Sequence, residues 1–175
     1  PRDAYGLLIG AIRDENPVMY FEHLNLYFEE GEAELDGKAI ELGKADIKRN
    51  GKDVTVIATG ACVGKAIKAG NILEKEGVSV EVVDPRSLYP LDKETIYKSI
   101  GKTGKVVIVT EEVKRGAWSA EMAACIVEDI YESLDARIVR IGELNTPVPY
   151  TVNLENYVLP QVEDIVSGIR SNHSD

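Results

Sequence analysis

The sequence predicts a three-layer α/β/α fold with a mostly parallel sheet of about five strands. Two observations predict it. Short runs rich in Val and Ile recur at Val54–Thr59, Ser79–Val83, Lys105–Thr110 and Arg137–Ile141, and they lack the polar alternation of a one-sided sheet. Between them lie segments whose apolar residues repeat at helical spacing. Strands alternating with helices imply crossover connections and a sheet covered on both faces.

Each element follows in order. Asp3 is placed to cap a short helix carrying Leu7, Leu8, Ala11 and Ile12 on one face. Pro17 stops it, and Val18–Phe21 reads as a buried strand. Residues 24–52 are unlike the rest. Six acidic residues lie between Glu29 and Glu41, with Gly31, Gly37 and Gly43 among them, which predicts an exposed linker. A weak strand over Ala39–Ile47 precedes a turn at Asn50-Gly51. After the strand ending at Gly60, a helix sets Val63, Ala66, Ile67, Gly70 and Leu73 on one stripe, with Gly77 in a C-cap place. Asp92 caps a helix through Ile96 and Ile100 that Gly101 closes. Ser119 opens a longer helix with Met122, Ala123, Ile126, Val127, Ile130 and Leu134 inward. Pro160 starts the last helix, whose Val162, Ile165, Val166 and Ile169 face the core.

Composition excludes several function classes. The 175 residues carry a net charge of −10, which repels phosphate backbones and anionic membrane surfaces. No segment approaches the roughly 18 apolar residues of a membrane span. No signal peptide is visible, so the chain reads as cytoplasmic; the missing initiator methionine marks either a processed product or an excised piece. Cys62 and Cys125 lie far apart, without metal-ligand spacing, and read as small core residues.

The chemistry is sparse. In an open parallel sheet ligands bind beyond the carboxyl ends of the strands. Those ends here are Gly60-Ala61-Cys62, Asp84-Pro85-Arg86, Glu111-Glu112 and Gly142-Glu143. Thr59–Gly64 is neither a dinucleotide fingerprint nor a phosphate-binding loop. Glu111-Glu112 is a possible acid/base pair, Cys62 a possible activated thiol, and His23 sits at a strand end; solvated or core roles compete with each. His173 lies in a polar tail. Trp118 fits an interface or the core. The residues alone define an α/β domain with no self-contained catalytic, cofactor-binding or metal site.

An ordered set of motifs resembles the C-terminal part of 2-oxo acid dehydrogenase beta subunits of the pyruvate, branched-chain and acetoin type, in the transketolase-like superfamily. The set comprises Asp3-Ala-Tyr-Gly-Leu-Leu8, Phe21-Glu-His23, Leu26-Tyr27, Gly43-Lys-Ala45, Val83-Asp-Pro-Arg-Ser87, Pro90-Leu-Asp92, Lys102–Lys105, Ala120–Ala123, Asn145–Tyr150 and Pro160–Ile165. Gly116-Ala117-Trp118 and Pro85 depart from the usual pattern. The resemblance implies three parts: residues 1–23 as the tail of a thiamine-diphosphate pyrimidine-binding domain, 24–38 as an acidic linker, and 39–175 as a transketolase-like C-terminal domain. It implies thiamine diphosphate and Mg in the full enzyme, none bound by this chain alone. The activating glutamate and a histidine near the reaction centre fall before the position of Pro1, so no residue here inherits those roles. It also implies an alpha subunit, a second beta subunit and an acyltransferase core as partners. Arg86, Glu112, Trp118 and Asp135, at strand ends, loops and a helix end, are the interface candidates. Two rival readings stay open: a stand-alone non-catalytic interaction module of the same superfamily, and a nucleotide-binding regulatory domain.

Overall fold

The computed structural model describes residues 1–34 and 36–174. Leu35, in the predicted linker, and Asp175, at the end of the predicted domain, lie outside the described residues. Five strands form one sheet in the order β1-β3-β2-β4-β5. They are β1 (Asp46–Arg49), β2 (Val54–Ala58), β3 (Val80–Asp84), β4 (Val106–Val113) and β5 (Val139–Glu143). All neighbours are parallel except β1, which runs antiparallel to β3 on the edge. The helices are α1 (Arg2–Arg13), α2 (Ala61–Glu74), α3 (Lys93–Thr103), α4 (Trp118–Ile130), α5 (Val152–Val158) and α6 (Val162–Ser174).

The three layers follow from β2 and β4, which are buried on both faces. On one face Val54, Val56 and Ala58 meet Cys62, Ala66, Ala69 and Leu73 of α2 and Ile165 and Ile169 of α6. On the other, Ile57, Val83 and Ile108 meet Ile96 and Ile100 of α3 and Met122 and Ile126 of α4. Removing such side chains from water supplies the main driving force for folding. Asp92 joins local and long-range structure. Buried at 7% exposure, it caps α3 through Thr95 N (3.1 Å) and accepts from Ala45 N of the chain entering β1 (3.0 Å). Asp92→Ala leaves both donors unmet and is expected to cost about 2 kcal/mol. Urea unfolding with an unchanged m-value is the check.

Several expectations are corrected. Val18–Phe21 pairs with no strand among the described residues, and Met19 and Phe21 are 79% and 81% exposed. It joins neither edge strand of the sheet, β1 or β5. Asp3 lies inside α1, whose N-cap is Pro1. The strand drawn over Ala39–Ile47 is confined to Asp46–Arg49. Residues before it lie along α1, where Ile40 N donates to Gly6 O (2.9 Å). A Cβ at Gly6 would stand 2.6 Å from the Ile40 side chain, and one at Gly10 2.6 Å from Ile40 O. The bare face of α1 therefore takes this backbone instead of the sheet.

α3 continues past Gly101 to Thr103 and closes at Gly104, whose φ of +66° suits glycine. α4 opens one residue before Ser119, and Val127 is 48% exposed, outside the apolar stripe. α6 begins two residues after Pro160, and α5 was not expected at all. α2 is capped by Lys75, not Gly77; Gly77 lies two residues further on with φ +84° and turns the chain so that Val78 N returns to Leu73 O (3.0 Å). Among the described residues no helix is long and apolar enough to cross a membrane.

Candidate functional site

Chain order fixes where a site is to be sought. From β2 the chain moves through α2 to β3 on one side; from β3 it crosses through α3 to β4 on the other. Loops leaving β2 and β4 thus diverge and open a crevice at their carboxyl ends, the switch point where open sheets place ligands. Three titratable side chains meet there. His23 Nε2 contacts Glu111 Oε2, Lys65 Nζ lies 3.3 Å from Glu111 Oε1, and Lys65 also donates to Pro160 O at 2.8 Å. Each is about one-quarter exposed. His23 also accepts from Asn25 N (3.2 Å) through Nδ1 and so caps the short 3-10 helix Leu24–Phe28.

The electrostatics of this cluster favour fastening over catalysis. Glu111 is shared between a cation and an imidazole, so it is engaged rather than open. Burial, aided by the Glu111 charge and opposed by Lys65, pushes the Cys62 thiol up to about 12. A thiol so placed is protonated at neutral pH and inert as a nucleophile. Burial, then Glu111, also raises the Glu143 carboxyl. Among the described residues no three His, Cys, Asp or Glu groups gather around a common centre. A diphosphate with its metal ion does not fit a cluster whose carboxylate, Glu111, is held by Lys65 and His23.

A second cluster lies at the carboxyl end of β3. Arg86 Nη2 donates to Asp3 Oδ1 (2.7 Å) and Asp46 Oδ2 (2.8 Å), and Lys48 bridges the same two carboxylates. This network ties α1 to the sheet edge. Arg86 has φ +58°, in the left-handed region that costs a non-glycine residue energy. Its N–H donates to Asp84 Oδ1 (2.9 Å), which holds the turn. Burial raises Asp3, but hydrogen bonds and charges from Lys48 and Arg86 outweigh it and hold the carboxyl below its usual range. For such a group stability is present above the unfolded value, near about 4, and is lost as pH falls through the folded value. Burial raises Asp84, which has the opposite sign. Asp3→Asn is therefore expected to speed amide exchange in α1 several-fold at pH 7 while leaving β2 unchanged. Equal rates in α1 would refute the tie.

The four interface candidates do not converge. Arg86 is the internal clamp just described, its side chain 12% exposed. Glu112 accepts from Ser119 N (3.1 Å) and caps α4. Trp118 packs against the α3/α4 core. Asp135 lies at the other end of the sheet, where its N–H donates to Gly104 O (2.7 Å). Sequence reasoning passes over Lys65, Asp46 and Lys48, and reads Asp3 as a helix cap instead of a partner of Arg86 and Lys48. Position at a strand end or first helical turn marks them, but charge partners that lie dozens of residues apart carry no local signal.

The geometry defines an open, doubly wound α/β/α domain with one antiparallel edge strand and no glycine fingerprint. The chain belongs to the transketolase C-terminal domain family, whose description, "Transketolase, C-terminal domain", matches residues 43–165. It is 45% identical over 172 residues to the 2-oxoisovalerate dehydrogenase subunit beta of Bacillus subtilis (strain 168), covering 97% of this chain and 53% of that subunit. It is 46% identical over 172 residues to the mitochondrial pyruvate dehydrogenase E1 component subunit beta of Pisum sativum, covering 96% of this chain and 48% of that subunit. The chain spans about half the length of these curated relatives and corresponds to their C-terminal part. Among solved structures, a split-gene transketolase described as an inactive beta4 tetramer superposes with a TM-score of 0.67 at 30% identity. The overlap covers 78% of this chain and 43% of that one.

Proposed function

We propose that this chain is the C-terminal portion of the beta subunit of a thiamine-diphosphate-dependent 2-oxo acid dehydrogenase. Its own work is assembly: holding the second beta chain and the alpha subunit, and docking the acyltransferase core. The whole enzyme would oxidatively decarboxylate a 2-oxo acid and pass on the acyl group. In this reading residues 1–23 end a pyrimidine-binding domain, 24–38 link it to the next, and 39–175 form the C-terminal domain. Cofactor and Mg would be held by other parts of the assembly. The cytoplasm is its setting, which agrees with the two free cysteines.

The observation that carries the reading is similarity to beta subunits across nearly the whole chain. The surface supports it. Met19, Phe21, Leu24 and Phe28 are each more than two-thirds exposed, an apolar display that soluble monomers avoid and interfaces use. The beta4 assembly of the solved relative agrees with beta–beta contact.

The test is made on the protein isolated from its source cells, by intact mass and by 2-oxo acid-dependent dye reduction. The expected result is this sequence within a longer chain, co-purifying with a second subunit and with that activity. A chain near 19.2 kDa with no partner and no activity would sink the reading in favour of a stand-alone interaction module.

A further inference from the structure

In a chain carrying 20 Lys and Arg against 30 Asp and Glu, a local excess of cations stands out. Lys114, Arg115 and Arg140 line one open crevice of about 500 Å3 at the carboxyl ends of β4 and β5. Gly142 forms its floor, where a Cβ would stand 2.5 Å from Glu112 O, so the floor stays bare backbone. A smaller crevice of about 240 Å3 continues it past Leu144 and Tyr157, sharing Lys114 and Arg140. Arg140 is fixed by donating to Lys114 O (2.8 Å). The Lys114 and Arg115 side chains are exposed and have no hydrogen-bond or ion-pair partner among the described residues. Two carboxylates share the walls, Glu143 and Asp164. Burial raises the first, and the second accepts from Gln161 N (2.8 Å).

The same chain displays the complementary element. Phe28 ends the short 3-10 helix, and Glu29-Glu30-Gly31-Glu32-Ala33-Glu34 follows it outside any helix or strand. Phe28 is 84% exposed, and Glu29, Glu30, Glu32 and Glu34 are exposed without an ion-pair partner among the described residues. Acidic residues interleaved with Phe28 and Ala33 suit an open groove with basic and apolar walls. The net charge of −10 does not forbid approach of a like chain, because charges beyond about 8 Å are screened at physiological salt. At contact the local signs decide.

We propose that the Lys114–Arg115–Arg140 crevice is a docking groove for the acidic segment Phe28–Glu34 of a second copy of this chain. Each copy's segment lies in the other's groove, so the contact is reciprocal and closes as a two-fold dimer. The assignment rests on unpaired charge of opposite sign on two surfaces, not on the enzymatic reading.

Sedimentation equilibrium of the protein as isolated tests it, at low and at 0.5 M salt. Self-association is expected to weaken with salt. The double variants Lys114→Glu/Arg115→Glu and Glu29→Lys/Glu30→Lys should each weaken it about tenfold, since exposed pairs contribute modestly and four are reversed in a reciprocal contact. An equimolar mixture of the two variants should recover association, because it restores opposite signs. Absent self-association, constants indifferent to both variants, or a mixture that stays apart would overturn the proposal. Dye-reduction activity is a separate readout and tests the enzymatic reading independently.

Discussion

Gly51→Ala is expected to destabilise the domain by about 3 kcal/mol, although it adds one methyl group at a half-exposed turn. The turn between β1 and β2 lies directly on the backbone of β3. A Cβ at Gly51 would stand 2.2 Å from both Glu81 N and Val80 C, and 2.5 Å from Val80 O. None of these atoms is the end of a flexible side chain, so relief requires moving a strand that is bonded on both sides, to β1 and to β2. Gly51 N also donates to the Glu81 carboxylate at 3.2 Å, and any shift of the turn loosens that bond. Chemical denaturation should show a lower midpoint with an unchanged slope. A loss under about 1 kcal/mol would mean that the turn lifts away freely, and that β1 is a loosely held edge.

Gly51 also shows what the sequence discloses and what it hides. Asn50-Gly51 reads at once as a turn, because glycine after asparagine is turn chemistry. The close approach of β3 is a tertiary fact with no local sign. The same division runs through the chain. The apolar runs around Val56, Val82 and Val107 mark buried strands, and the repeats around Ala66, Ile126 and Ile165 mark helices, since burial itself selects those residues. Ala39–Ile47 misled because its apolar residues serve α1: Ile40 fills the space over Gly6 and Gly10. Val18–Phe21 has a strand's composition but no strand beside it among the described residues, so composition alone overstates its burial. At the switch point His23 and Glu111 were each visible as strand-end residues, whereas their contact across 88 positions and the part of Lys65 were not. The family resemblance was legible because it rests on order along the chain, which needs no folding to read.

The second large effect is expected at Lys102. Glu81 is the charged side chain most deeply placed in the sheet, at 0% exposure, and its Oε1 finds no partner among the described residues. Oε2 is met by Lys102 Nζ and Gly51 N. Lys102 is thus the countercharge of a buried carboxylate, reaching in from α3 with its own side chain 44% exposed. Removing one partner of a buried pair leaves an uncompensated charge, at about 3–5 kcal/mol. Water around the half-exposed ammonium already screens part of that interaction, so Lys102→Met is expected to cost about 2 kcal/mol. Glu81→Gln in the Lys102→Met background removes the stranded charge while keeping an acceptor for Gly51 N. It should recover most of the loss, giving a coupling above about 1 kcal/mol in a double-mutant cycle. The pair does not hold the domain by attraction alone. Lys102 is required because Glu81 is there, and two uncharged residues that fill the same space would leave β3 equally well seated. Additive losses in the cycle would show instead that water, not Lys102, solvates Glu81, and that the sheet is wetter beneath α3 than its packing implies.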